Sequence, residues 1–268
     1  MKLLFDLHTH TVASGHAFST LKENIEEAAA KGLKAMGTSD HYSAMPGSAQ
    51  PIYFTNFKAI KEKILGVRIF TGMEANIIDL EGKLDAEEAV LKKMDYVIAS
   101  LHVPCVKAGT REENTNALIG AMKNPYVKII GHPDDSRFPI DYDTLTAAAR
   151  EHHKLLEVNN SSLTPLSYRQ GVRENYVKML ELCRHYRTPV IVNSDAHCEA
   201  DSGNHASAYA LLEELDFPQE LVVNTSIELL SAYLNAILAQ PEGARCGQLP
   251  RDTGAPRPQL LQEGPSDD

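Results

Sequence analysis

Short apolar segments recur along the chain, and most of them end in a histidine or a carboxylate. They are rich in Val and Ile and do not alternate at their centres, which is typical of strands covered on both faces. The predicted strands are residues 3–10, 34–40, 67–75, 96–102, 127–132, 155–159 and 190–194. Helices are predicted between and after them, near residues 20–31, 55–65, 86–93, 113–123, 142–153, 173–186, 205–215 and 226–238.

Strands that alternate with helices predict the α/β class, either a parallel (β/α) barrel or a doubly wound sheet. The count of seven strands favours a distorted seven-stranded (β/α)7 TIM-like barrel over the eight-stranded form. The polar residues follow the carboxyl ends of the strands, which form the active-site face of such a barrel. We therefore expect one metal site at that face, in a domain that spans residues 1–239.

The composition of the chain changes at residue 240. Five of the 14 prolines and four of the 16 glycines fall within residues 240–268. A segment of this kind cannot bury enough apolar surface to order itself. The sequence therefore predicts a disordered C-terminal tail outside the folded domain.

Two histidines stand two positions apart at the end of the first strand, in Asp6-Leu7-His8-Thr9-His10. Residues i and i+2 of a strand face the same side, so His8 and His10 can approach one metal ion together. A His-x-His pair is weak evidence by itself. Its weight depends on the residues at the other strand ends.

Nine side chains with metal-ligating chemistry lie at strand ends or in the loop after the first strand. They are His8, His10, His16, His41, Glu74, His102, His132, Asp195 and His197. Buried histidines that bond to the backbone would explain one or two of them, but not their recurrence. A catalytic metal takes three or four protein ligands, so nine suit three ions if one carboxylate, preferably the longer Glu74, bridges two of them. Imidazoles and carboxylates without thiolates indicate Zn²⁺ first, with Mn²⁺ or Fe²⁺ as alternatives.

Taken together, these motifs resemble the PHP superfamily, named for polymerase and histidinol phosphatase. The motifs are Asp6-x-His8-x-His10, His16, Thr38-x-Asp40-His41, Gly72-x-Glu74, His102, Gly131-His132-Pro133 and Ser194-Asp195-x-His197. Two further stretches, 74–77 (EANI) and 157–162 (EVNNSS), resemble its small single-domain bacterial phosphatases. The resemblance covers residues 2–238, and no metal position of the pattern is missing.

The resemblance implies a barrel that holds three divalent ions. The first would be bound by four side chains: His8, His10, Glu74 and Asp195. The second would be bound by three, with Glu74 as the bridge: Glu74, His102 and His132. The third would be bound by three imidazoles: His16, His41 and His197. The branch also resembles proteins that assemble as trimers, so a homo-oligomer is expected.

Several residues beside the ligands are candidates for supporting roles. Asp6 and Asp40 would either hold loop amides or orient a ligating imidazole. Asn159, Asn160 and Arg169 follow a strand end and are candidate substrate contacts, with turn formation or plain solvent exposure as the alternatives.

Glu74, Asp195 and His197 form the predicted catalytic group. Two close ions would activate a hydroxide for in-line attack on a phosphoryl group, and the third would neutralise oxygen charge. The sequence thus predicts a metal-dependent hydrolase that removes phosphate from small phosphomonoesters at a trinuclear site. The alternatives are a phosphodiesterase or nuclease, a hydrolase that acts at carbon, and a non-catalytic metal-binding protein.

The 268-residue chain has a formal net charge of −10 and no basic stripe, which argues against a nucleic-acid partner. No apolar run reaches the length of a membrane span, and no signal peptide is visible. Four cysteines without a C-x-x-C pair are expected to be reduced thiols. We therefore expect a cytoplasmic enzyme whose partner is a small phosphorylated metabolite.

Overall fold

The computed structural model describes residues 1–235 of the chain. The strands are β1 (Phe5–Asp6), β2 (Ala35–Thr38), β3 (Lys63–Ile64), β4 (Val67–Asn76), β5 (Tyr96–Ser100), β6 (Val127–Ile130), β7 (Leu155–Asn159) and β8 (Val190–Asn193). The α-helices are α1 (Leu21–Ala30), α2 (Pro51–Thr55), α3 (Glu88–Leu91), α4 (Arg111–Met122), α5 (Tyr142–Glu151), α6 (Val172–Tyr186), α7 (Ala206–Glu214) and α8 (Ile227–Asn235). Among these helices, none has the length and apolarity that crossing a membrane requires. The predicted tail at 240–268 lies outside the described residues.

Seven of the strands run parallel in the order β1-β2-β4-β5-β6-β7-β8 and form a nearly closed barrel. Helices connect successive barrel strands, because a parallel pair needs a crossover connection. The prediction of a distorted seven-stranded (β/α) barrel is confirmed. The predicted strands match their observed counterparts in order, and the first is shorter than expected.

Side chains join β8 to β1 where the strand ladder is incomplete. Asn224 donates to the carbonyl oxygens of Phe5 at 2.9 Å and Val192 at 2.7 Å. Its side-chain oxygen also accepts the N–H of Val192 at 2.7 Å. Beyond the strand ends, Thr9 and Ala196 form a parallel bridge. These contacts fix the loops after β1 and β8 beside each other, and both loops carry predicted ligands.

The predicted helix at 55–65 is wrong. Helix α2 ends at Thr55, a 3₁₀ turn follows at Phe57–Ala59, and β3 pairs antiparallel with the start of β4. The two residues between these strands, Leu65 and Gly66, have φ of +50° and +84°. Two central residues with positive φ match the twist of a tight hairpin, so the chain turns back here instead of continuing a helix. The predicted helix at 86–93 is also shorter, since only α3 forms there.

The barrel interior changes from apolar at its base to polar at the carboxyl ends of the strands. Side chains two apart on a strand share a face, and three strands show the change clearly. Their inward positions are Leu155-Glu157-Asn159 on β7, Ile191-Asn193-Asp195 on and after β8, and Phe70-Gly72-Glu74 on β4. The apolar members belong to one buried cluster with residues from all seven barrel strands. The polar members therefore stand on a packed apolar base.

Tyr96 lies across the barrel interior beneath the polar layer and is 1% exposed. Its hydroxyl donates to the carbonyl oxygen of Leu7 at 2.5 Å. A Cβ added at Gly37 would lie 2.0 Å from the Tyr96 hydroxyl oxygen, and one added at Gly72 would lie 2.3 Å from its ring. Glycine is needed at both positions, because the ring occupies the space that a side chain would take.

Candidate metal centre

The structure brings all nine predicted ligands together at the carboxyl face of the barrel. Eight of them contact one another through carboxylate oxygens and imidazole nitrogens within 3.6 Å. The ninth, His16, is exposed, and its ring centroid lies 5.0 Å from that of His41 and 4.8 Å from that of His197. Residues that are far apart in the sequence thus form one cluster.

Glu74 is fully buried at the end of β4 and divides its two oxygens between two sets of imidazoles. Oε1 lies 3.2 Å from Nε2 of His102 and 2.9 Å from Nε2 of His132. Oε2 lies within 3.4 Å of three imidazole nitrogens, those of His8, His10 and His41. Each oxygen therefore has its own group of potential co-ligands, which is the arrangement that a bridging carboxylate requires.

Asp195 presents one oxygen to the cluster and is held by the other. Oδ1 lies 3.1 Å from Nε2 of His10 and 3.5 Å from Nε2 of His8. Oδ2 accepts from Nδ2 of Asn159 at 3.0 Å and from a guanidinium nitrogen of Arg169 at 3.4 Å. The two donors orient the carboxylate so that Oδ1 faces the histidines.

Three imidazoles form a further group within the cluster. One nitrogen each of His10, His41 and His197 lie within 4.8 Å of one another. The His10 ring is 4.4 Å from that of His41 and 4.3 Å from that of His197, between centroids. The structure thus places His10 between the groups that the resemblance assigns to the first and third ions.

The buried donor atoms of this cluster fit divalent metal ions. Within residues 1–235, Nε2 of His8, Nε2 of His10, Nδ1 of His41 and Oε2 of Glu74 are buried and lack a hydrogen bond of acceptable geometry. An unsatisfied buried polar atom costs about 1–3 kcal/mol. Four sets of three ligand atoms lie within 4.8 Å in this part of the chain, which suits ions bound by imidazole and carboxylate.

Two of the predicted ligands have backbone conformations that are rare for residues other than glycine. His132 has φ of +27° and Asp195 has φ of +55°. Such strain costs about 1–3 kcal/mol per residue and persists where the surrounding structure fixes it. Ile129 faces the barrel interior, so regular alternation along the strand would point residue 131 inward and His132 outward. The unusual backbone of His132 accompanies its inward position.

Glu157 supports the cluster from below, and the sequence analysis did not identify it. It is fully buried, and its Oε1 lies 2.7 Å from Nδ1 of His8 and accepts from Nδ2 of Asn193 at 2.8 Å. Oε2 accepts the backbone N–H of His132 at 2.8 Å and Nδ2 of Asn159 at 3.2 Å. The signal in the sequence is a carboxylate in the middle of an apolar strand, since an unpaired charge is not buried there.

Two further supports contact ligating histidines and were also missed. Asn76 places its Oδ1 2.8 Å from Nδ1 of His102. Ser14 places its hydroxyl oxygen 3.0 Å from Nδ1 of His10. Partners of this kind fix the orientation of a ring and the nitrogen that carries its proton.

The two aspartates beside the ligands have different roles. Asp40 accepts the hydroxyl of Ser14 at 2.7 Å, so it acts on His10 through that serine. Asp6 instead accepts the backbone N–H of Ser194 at 3.1 Å and its hydroxyl at 2.5 Å. It therefore holds the loop that carries Asp195.

Electrostatics keep the carboxylates ionised. Burial alone would raise the pKa of Glu74, but the nearby imidazoles of His8 and His41 bring it well below its usual range. Burial and the imidazoles around Asp195 act in the same opposing ways, and the pKa of Asp195 is also well below normal. Both side chains are therefore in the form that binds a cation.

The two strand-end histidines differ in their protonation. Burial, together with the charges of His197 and His41, lowers the pKa of His10 well below normal. Burial also acts on His8, but Glu157 and Glu74 outweigh it and raise the pKa of His8 well above normal. A metal ion bound at His8 would therefore displace a proton, whereas the lowered pKa of His10 favours the neutral ring.

A cavity of 710 Å³ opens onto the cluster. Arg169 lines it with only 8% of its side chain exposed, and its guanidinium donates to the hydroxyl of Ser162 at 2.5 Å. Asn160 also lines the cavity, and its Oδ1 accepts backbone N–H groups at the start of α7. Asn159 lies beneath and is fully buried. Arg169 is thus not a solvated loop arginine but a cation beside the cluster.

Comparison with known proteins agrees with this site. The PHP domain family matches residues 6–163. A protein of Caldicellulosiruptor bescii named "probable phosphatase" is 44% identical over 234 residues, which cover 87% of this chain and 96% of the relative. A protein with a similar name from Caldanaerobacter subterraneus subsp. tengcongensis is 47% identical over 235 residues, covering 87% and 92%.

A solved structure shares the fold. It is the histidinol phosphate phosphatase of Lactococcus lactis, complexed with zinc, L-histidinol and phosphate, with a TM-score of 0.58 and 18% identity. The similarity covers 80% of this chain and 94% of that one. The family match covers more than half of the chain, and the relatives align along almost their full length. The chain therefore belongs to the PHP domain family.

Proposed function

We propose that this chain removes phosphate from small phosphomonoesters at a site for three divalent metal ions. The class of the enzyme, a hydrolytic phosphatase that depends on metal, is confirmed by the relatives and the clustered ligands. The observation that carries the finer proposal is the division of Glu74 between His102 and His132 on one oxygen and the other imidazoles on the second.

The ligands are assigned to three sets that share Glu74. The first comprises His8, His10, Glu74 and Asp195, the second Glu74, His102 and His132, and the third His16, His41 and His197. The zinc in the Lactococcus lactis protein supports Zn²⁺ as the first choice, ahead of Mn²⁺ and Fe²⁺. Because His10 also lies close to His41 and His197, it is the ligand best placed to link the first and third sets.

Ions held by these ligands would lower the pKa of bound water to near neutrality and polarise the phosphoryl oxygens. The chain's own cation, Arg169, is placed to pair with phosphoryl oxygens, since a guanidinium matches their geometry. Asp195 orients Arg169 and at the same time faces the histidines. His197 lies beside Asp195, with Nδ1 3.6 Å from Oδ1, and lines the cavity where the substrate would enter.

The net charge of −10 supports a small substrate over a nucleic acid, because a polyanion would be repelled. A phosphodiesterase activity is the second candidate within this fold. A homotrimer and a cytoplasmic location remain predictions, and sedimentation of the purified chain would test the first of them.

The test is a metal reconstitution of the full chain. After treatment with a chelator, the protein is loaded with Zn²⁺, Mn²⁺ or Fe²⁺, the ions per chain are counted by mass spectrometry, and turnover is measured on phosphomonoesters, including histidinol phosphate. Bis(p-nitrophenyl) phosphate and single-stranded DNA serve as the diester substrates. We expect about three ions per chain and faster turnover of monoesters. Fewer than two ions, or a preference for diesters, would contradict the proposal.

A further inference from the structure

The cavity above the metal centre has two unlike parts. Its floor carries the cluster and Arg169. Its mouth, here called the outer chamber, is lined by apolar side chains: Met45, Leu101, Val103, Phe138, Leu166 and Tyr168. Three of these are exposed despite their size, Val103 by 53%, Leu166 by 96% and Tyr168 by 70%. Exposed apolar side chains that gather around one opening are typical of a binding surface, whereas singly scattered ones are not.

The outer chamber is joined directly to the reacting end of the cavity. Val103 follows the ligand His102, and Tyr168 precedes Arg169. The carbon of the Arg169 guanidinium lies 5.8 Å from the Tyr168 ring centroid, and one of its nitrogens lies 3.4 Å from Asp195. A substrate whose phosphoryl group reaches the floor must therefore place its alcohol portion in the outer chamber.

Several polar atoms of the chamber wall are already engaged. The hydroxyl of Thr164 donates to the carbonyl oxygen of Ser161 at 2.9 Å. The hydroxyl oxygen of Ser167 accepts the N–H of Arg169 at 3.3 Å. Asn160 accepts two backbone N–H groups with its Oδ1. The wall thus offers mainly contact surface, and a polyhydroxyl group entering it would lose hydrogen bonds to water.

Arg137 belongs to the same wall, but its charge is neutralised. Its guanidinium forms hydrogen bonds of 2.8 and 2.5 Å with Oδ2 of Asp135. The same guanidinium lies 5.0 Å from the centroid of the Tyr168 ring. This cation–π contact steadies the exposed ring. The Tyr168 ring therefore offers an aromatic surface in a fixed position. Because Arg137 is already paired with Asp135, it is a poor receptor for a second anionic group on the substrate.

We infer that the outer chamber binds the alcohol portion of the substrate and selects uncharged, apolar alcohols that carry a flat ring over polyhydroxyl alcohols. The inference rests on the proposed phosphatase function. A ring can pack on Tyr168 while Val103 and Leu166 cover its edge, and such contacts need no polar partner. Removal of water from the chamber also strengthens the electrostatic interactions at the floor.

The experiment compares two esters of primary alcohols with similar leaving groups, 2-phenylethyl phosphate and glycerol 3-phosphate. We expect kcat/KM for the phenylethyl ester to be at least about tenfold higher. Tyr168→Ala and Leu166→Ser should each narrow that ratio several-fold, mainly by raising KM for the phenylethyl ester. Ile52→Ser is the matched control, because Ile52 is 78% exposed but lies outside the cavity lining. It should preserve the ratio.

The outcomes separate the inference from the function on which it rests. Equal turnover of the two esters, or a preference for glycerol 3-phosphate, overturns the selectivity and leaves the phosphatase activity standing. Turnover of neither ester overturns the proposed function. In that case, calorimetry compares the binding of 2-phenylethylphosphonate and 2,3-dihydroxypropylphosphonate. Tighter binding of the former supports the inferred selectivity of the chamber, and equal affinity overturns it. If Leu166→Ser dissociates an oligomer without narrowing the ratio, the surface is an interface between copies and the inference fails.

Discussion

Nδ1 of His8 lies 2.7 Å from Oε1 of Glu157, on the side of the ring away from Glu74. The opposite nitrogen, Nε2, lies 3.1 Å from Oε2 of Glu74. The buried carboxylate of Glu157 therefore takes the proton-bearing side of the imidazole and leaves the lone pair of Nε2 for the cluster. The same carboxylate holds the backbone of His132, so it positions ligands from two strands.

Glu157→Gln should weaken metal binding while the fold is retained. The substitution keeps the shape of the side chain but removes the charge that stabilises the ring orientation of His8, and such partners are worth about 10–100-fold in metal affinity. Competition between the protein and a chromophoric chelator measures this affinity. Glu151→Gln, at the exposed end of α5, is the matched control and should bind metal as the wild type does. Unchanged affinity in Glu157→Gln would refute the positioning role.

Glu74→Ala should remove more than one ion per chain and lower turnover at least about a hundredfold. The physical reason is that both sets of imidazoles share its carboxylate. Metal content by mass spectrometry and turnover on a phosphomonoester are measured on the same preparation, with circular dichroism to verify folding. Loss of a single ion with full turnover would show that Glu74 does not bridge.

Arg169→Lys should raise KM for phosphomonoesters about tenfold, because an ammonium group cannot form the paired hydrogen bonds of a guanidinium. Arg173→Lys is the control, since Arg173 is half-exposed and pairs with Glu214 on the surface. Exposed ion pairs contribute little. Steady-state kinetics on both variants decide the matter, and similar KM values in the two would argue against a phosphate contact by Arg169.

The metal-free protein should lose stability as the pH falls below about 6.5. Burial and neighbouring imidazoles hold the pKa of His10 well below normal in the folded state. In this range the unfolded chain therefore binds more protons than the folded chain. The free energy of unfolding thus decreases as the pH falls. His10→Gln removes this contribution, and its Tm in chelator should fall by a few degrees less between about pH 7.5 and 5.5.

Differential scanning fluorimetry across this pH range provides the measurement, with His185→Gln as the control. His185 is exposed in the last turn of α6 and is not among the nine candidate ligands. Parallel curves for the wild type and His10→Gln would contradict the assigned proton linkage.

The candidate ligands could be predicted from the sequence because nearly all of them lie at or soon after the end of a strand, and parallel strands bring their carboxyl ends together. The positions of His8, Glu74, His102 and Asp195 depend on little more than that rule. Glu157 could not be found in the same way, because it lies within a strand and its partners come from three other strands. Only the tertiary structure shows that a charge can be satisfied there.

The region between β2 and β4 was predicted least well. Its apolar spacing suggests a helix, but the left-handed backbone of Leu65 and Gly66 turns the chain into a hairpin. Phe54 and Phe57 still pack into the core from α2 and the turn that follows. These apolar residues are buried, as a helix would have buried them, but in a different local conformation. The spacing of apolar residues does not distinguish the two conformations.

The packed interior beneath the cluster, with Tyr96 across it, bears on the order in which products depart. Within residues 1–235, the cluster opens to solvent through the outer chamber, so a phosphoryl group bound at the cluster would lie deeper than the alcohol attached to it. The alcohol must leave first and the phosphate last. Inorganic phosphate should then inhibit competitively against the ester, whereas the alcohol should inhibit noncompetitively. Product-inhibition kinetics would therefore test whether the closed base of the barrel sets the order of product release.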